Sequence, residues 1–73
     1  MCKEILLLKT SPHNSNDIKR MSAILDNHPH IAVWNIDLDD RDKILRIESE
    51  GLAVGDVILS LFGIGVWSEE LSE

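Results

Sequence analysis

Ile31-Ala32-Val33-Trp34-Asn35-Ile36-Asp37-Leu38-Asp39-Asp40-Arg41-Asp42-Lys43-Ile44-Leu45-Arg46-Ile47 carries two runs of alternating apolar residues on either side of an acidic turn. Period-two alternation marks half-buried strands, and Asp39-Asp40-Arg41-Asp42 has the charge and composition of a solvated hairpin turn. Trp34, Ile36 and Leu38 share one face of the first strand, expected to look inward, with Leu45 and Ile47 on the core side of the return strand, Lys43 to Ser49. The shift of parity after Ile31 predicts a bulge or an irregular start.

Upstream of the hairpin, Ile5 to Lys9 reads as a strand whose four consecutive apolar residues suit a central position. Thr10 to Asn16 has loop composition. Ile18, Met21, Ile24, Leu25 and His28 then recur at helical spacing, with Ser15 or Asn16 as the expected cap and Pro29 as the stop. Downstream, Gly51 breaks the return strand. Val54, Val57, Ile58, Leu61 and Phe62 mark a second helix, and Gly63 stands where a left-handed terminator is expected. Ile64 to Glu69 is the last strand pattern. The order strand, helix, strand, strand, helix, strand predicts one four-stranded antiparallel sheet with both helices on a single face.

The 73 residues, 44% of them apolar, are expected to form a single domain over 1-73, burying roughly 60% of the surface that the unfolded chain exposes. Thirteen acidic against seven basic residues give a net charge of -6, which repels phosphate backbones and anionic lipid and argues against nucleic-acid and membrane partners. Cys2 is the only cysteine, so neither an internal disulfide nor a cysteine-pair zinc site can form. The longest apolar run, Ile5 to Leu8, is far too short to span a bilayer, and a cytoplasmic location is the default expectation.

A βαββαβ chain of this length with its key loop between the first strand and the first helix resembles the heavy-metal-associated (HMA) domains of copper chaperones and metal-transporting ATPases. The apolar strand running into Lys9-Thr10-Ser11, the helix pattern Ile18, Met21 and Leu25, the hairpin residues, and Leu61-Phe62-Gly63 carry the likeness. The resemblance implies an α+β, ferredoxin-like two-layer sandwich. It also implies a Met-Thr-Cys-x-x-Cys loop whose two thiolates bind a soft metal ion. Counting back from Ile18 sets Lys9-Thr10 on the Met-Thr pair and Ser11-Pro12-His13-Asn14 on Cys-x-x-Cys. Thr10, Ser11, His13 and Asn14 are therefore degenerate metal-loop positions. A serine hydroxyl and an amide oxygen are hard neutral donors, unsuited to copper(I), and no cofactor is expected.

Other constellations are weaker. Cys2, His13, His28 and His30 are the candidate nitrogen and sulfur ligands of a rebuilt metal site, but about eight strand residues at roughly 3.3 Å each separate Cys2 from His13. Asp37, Asp39, Asp40, Asp42 and Glu48 suggest a calcium loop. Arg41 and Asp42, however, stand where such a loop needs an oxygen donor and a glycine. No nucleophile turn or phosphate loop occurs, so a non-enzyme is expected. If Ile5, Leu7, Leu45 and Ile47 face the helices, alternation sends Leu6, Leu8, Ile44 and Val33 to the open face of the sheet, an apolar patch of the kind that binds partners. The expected function is a small protein-interaction or self-association module whose metal motif is lost. The alternative is a metal-binding protein with rebuilt His and Cys ligands.

Overall fold

The computed structural model describes residues 3–71. Six elements follow in the order β1 (Glu4–Thr10), α1 (Ser15–Asp26), β2 (Ile31–Ile36), β3 (Ile44–Ser49), α2 (Val54–Phe62) and β4 (Ser68–Glu70). The strands form one sheet in the order β2-β3-β1-β4, with every neighbouring pair antiparallel. This is the ferredoxin-like two-layer arrangement, with β1 and β3 central and β2 and β4 at the edges. The bulge expected after Ile31 falls between Ile31 and Val33. It returns Ile31 to the helix-covered side together with Trp34 and Ile36, all three packed against the core.

The core is built by Leu6 and Leu8 from β1, Met21 and Leu25 from α1, Leu45 and Ile47 from β3, and Leu52, Val57, Leu61 and Val66 from α2 and its flanks. This reverses the expected parity of β1. Leu6 lies opposite Ile47 and Leu8 opposite Leu45, and directly paired residues of an antiparallel sheet share a face. Leu6 and Leu8 are therefore buried at 9% and 0% exposure, while Ile5 is 50% exposed. The interaction face expected from Leu6, Leu8, Val33 and Ile44 keeps only Val33 and Ile44. Ile5 and Leu7 take the places of the two leucines. Four consecutive apolar residues contain no alternation, so only the partner strand could set which pair faces inward.

Four further expectations are corrected. Phe62 is 69% exposed. At about 100° per residue it lies roughly 80° round the helix from Val54, off the stripe of Val57 and Leu61, and the helix ends before anything can cover it. Gly63 is right-handed, and the left-handed position after α2 is Gly65, with φ 84°. Leu38 lies beyond the end of β2 and is half-exposed, because the strand stops at Ile36. The last strand is also shorter than its sequence pattern, beginning only at Ser68.

Leu8→Ala is expected to cost about 2–5 kcal/mol, the penalty for emptying a fully buried leucine site. Ile5→Ala, a truncation on the half-exposed side of the same strand, should stay within about 0.5 kcal/mol. Urea unfolding of the two variants measures this difference, and equal losses would contradict the parity seen here.

Candidate functional site

The loop between β1 and α1 lies at one pole of the sheet, beside the β2–β3 turn. Thr10, the last residue of β1, is buried, and its hydroxyl donates to the Lys43 carbonyl at 2.7 Å. Its amide donates to the Asp42 carbonyl at 3.2 Å, and the Ser11 amide donates to the Trp67 carbonyl at 3.0 Å. The first half of the loop is thereby tied to the hairpin on one side and to the approach to β4 on the other.

The second half is consumed in starting α1. Asn14, and not Ser15 or Asn16, is the N-cap: its side-chain oxygen accepts from the Asp17 amide at 3.0 Å. The Asp17 carboxylate in turn accepts from the His13 amide at 2.8 Å and pairs with Arg20. This reciprocal arrangement satisfies backbone donors that a helix start leaves open, and it places a negative charge where the helix dipole favours one. Asp17 is nearly buried. The His13 amide holds its carboxyl below the usual range against the opposing effect of burial, and the Arg20 guanidinium adds to the lowering. An aspartate three residues after an asparagine is the sequence signal for this cap, which the expected caps Ser15 and Asn16 miss.

His13 and Asn14 are exposed. The Asn14 oxygen and the Thr10 hydroxyl are engaged in protein hydrogen bonds. His28 and His30 lie beyond the far end of α1, whose 12 residues span about 18 Å at 1.5 Å each. Their rings are 5.8 Å apart, and Nδ1 of His28 accepts from the His30 amide at 3.2 Å. Cys2 lies outside the described residues. Among the described residues, no group of three His, Cys, Asp or Glu side chains is placed to hold a metal ion. Three of the four hairpin aspartates have protein partners. Asp37 accepts from the Asp39 amide, Asp40 accepts from the Asp42 amide, and Asp42 meets Lys9 at 3.4 Å.

Lys43 closes this turn in the left-handed region, with φ 45°, where a non-glycine residue costs roughly 1–2 kcal/mol. The Thr10 hydroxyl on its carbonyl and the bond from its own amide to the Asp40 carbonyl hold it there. Its side chain joins Pro12, Ile18, Lys19 and Leu38 in lining an open groove of about 470 Å³ between the loop and the hairpin.

No protein-family model and no curated protein matches the sequence. The fold is similar to the apo form of the HMA domain of copper chaperone for superoxide dismutase. The TM-score is 0.80 over 97% of this chain and 69% of that one, at 13% sequence identity. The likeness is one of fold.

Asn14→Ala is expected to lower stability by about 0.5–2 kcal/mol through loss of the cap, measured by thermal or urea unfolding. The depressed Asp17 carboxyl contributes stability that is fully present above the usual aspartate range and is lost as pH falls through its lower folded value. Stability measured against pH should therefore fall across that acid window in the wild type and fall less steeply in Asp17→Asn. Identical slopes would show that Asp17 does not carry the effect.

Proposed function

We propose that this chain is a small non-catalytic association module that has the HMA-type fold without its thiolate site. The observation that carries the reading is the use of Asn14. The position that the resemblance assigns to a metal ligand here caps a helix, locked to Asp17, and the first ligand position is a serine. Asn14 thus serves folding, and the apolar residues left on the sheet surface are candidates for function.

Those residues lie on the side of the sheet away from the helices. By register, Ile5 and Val33 flank Glu48, while Leu7 and Asn35 flank Arg46. Ile5 and Val33 are each about half-exposed. Neither Arg46 nor Glu48 forms an ion pair among the described residues. The face also carries Lys9 opposite Glu69, and its neighbouring Arg46 and Glu48 allow self-complementary pairing about a two-fold axis, since Arg46 of one copy can meet Glu48 of the other. The favoured partner is therefore a second copy. Strands of seven, six, six and three residues, at about 3.3 Å per residue and about 4.8 Å apart, present a footprint of roughly 350 Å² per copy. That is smaller than a stable interface of about 800 Å² per partner, so the association should be weak and reversible. Among the described residues, no helix is long and apolar enough to cross a membrane.

Sedimentation over a concentration series should show a monomer-dimer equilibrium that weakens with salt and is abolished in Ile5→Glu/Val33→Glu, whose amide spectrum stays dispersed. A mass that never departs from the monomer would reject sheet-face pairing. A copper(I) titration under reducing conditions should give no saturable amide shifts at Ser11 to Asp17. Stoichiometric shifts there would restore a metal site.

A further inference from the structure

The groove between the β1–α1 loop and the β2–β3 turn has a composition unlike the rest of this acidic chain. Its volume of about 470 Å³ falls within the range of about 300–1,000 Å³ typical of small-molecule sites. Pro12, Ile18 and Leu38 give it an apolar lining, and His13, Lys19 and Lys43 are the titratable side chains that join them. Two of only seven Lys and Arg residues thus line one groove of a protein with net charge -6. Neither lysine forms an ion pair among the described residues. Of the carboxylates nearby, Asp42 meets Lys9, Asp17 meets Arg20, and Asp37 and Asp40 accept amides of their own turn, while Asp39 forms no ion pair among the described residues.

We propose that this groove binds a small amphipathic monocarboxylate, its apolar body against Pro12, Ile18 and Leu38 and its carboxylate between Lys19 and Lys43. Lys43 is the specific element. Its backbone is held at φ 45° by the Thr10 hydroxyl and the Asp40 carbonyl, so its side chain leaves a fixed point beside the apolar lining. Glycine would relieve the backbone conformation there but would remove the cation. A single negative charge suits the site better than a polyanion. A multiply charged ligand or an acidic peptide would extend over Asp37, Asp39 and Asp40 of the hairpin and be repelled. The site is separate from the sheet face, so it stands or falls independently of self-association.

The test is an amide NMR titration with decanoate, and with decanamide as its uncharged counterpart. Saturable decanoate shifts confined to His13, Ser15, Ile18, Lys19, Leu38 and Lys43 are expected, with decanamide at least tenfold weaker. Lys43→Gly should keep the dispersed spectrum and lose at least tenfold in decanoate affinity. Should that variant alter the whole spectrum, Leu38→Asn, on a half-exposed turn position, provides the same comparison. Equal binding of decanamide, undiminished binding by the folded variant, or shifts centred on Ile5 and Val33 or on Leu59 and Phe62 would overturn the proposal. So would the absence of saturation. Binding of an acidic leucine-containing peptide without binding of decanoate would do the same, and would assign the groove to a protein partner.

Discussion

The pairing of β1 with β3 runs from Glu4 opposite Ser49 to Lys9 opposite Ile44. It joins the two central strands of the sheet and, through Leu6 opposite Ile47 and Leu8 opposite Leu45, decides which side of both strands is buried. Both helices then have an apolar surface to cover, and Met21, Leu25, Val57 and Leu61 meet these four strand residues in one cluster. A slip of one residue would bring Ile5 and Leu7 under the helices and expose Leu6 and Leu8. Every later feature, including the composition of the open face and the approach of the loop to the hairpin, follows from this register.

The same register brings Thr10 to the end of β1 beside the hairpin turn. Its buried hydroxyl reaches the Lys43 carbonyl across 33 residues of sequence, coupling the loop to the turn. On the other side of the loop, Asn14 and Asp17 cap α1 and take up donors that would otherwise be left open. A loop of Ser, Pro, His and Asn thus acquires order from hydrogen bonds and from packing at the groove. The groove that it borders is lined by apolar residues and by Lys19 and Lys43 from α1 and the hairpin, whereas the resemblance to HMA domains implies thiolate chemistry.

Two surfaces consequently remain available, and they differ in kind. The open sheet face mixes apolar residues with charges of both signs, Lys9 and Arg46 beside Glu48 and Glu69, the pattern on which the proposed self-pairing rests. The groove at the loop pole combines apolar residues with cations only, which favours a small anion with a hydrophobic body. The overall negative charge sharpens the contrast, because it penalises large polyanionic partners at both surfaces.

Element order, the hairpin with its acidic turn, the bulge after Ile31 and the helix stripe through Met21 and Leu25 were legible in the sequence, because period and turn chemistry are local properties. That the loop after the first strand holds Ser11 and Asn14 and no cysteine was legible as well. Three features were not. The facing of Ile5 to Leu8 depends on a partner strand, since a run of four apolar residues has no period of its own. The exposure of Phe62 depends on where α2 ends relative to the sheet. The groove depends on Pro12, Ile18, Leu38 and Lys43 being brought together from a loop, a helix and a hairpin. Sequence by itself thus determined the elements and the chemistry of the loop residues. Only the tertiary structure decided which side chains are buried and which share a site, because burial and convergence are set by register between segments far apart in the chain.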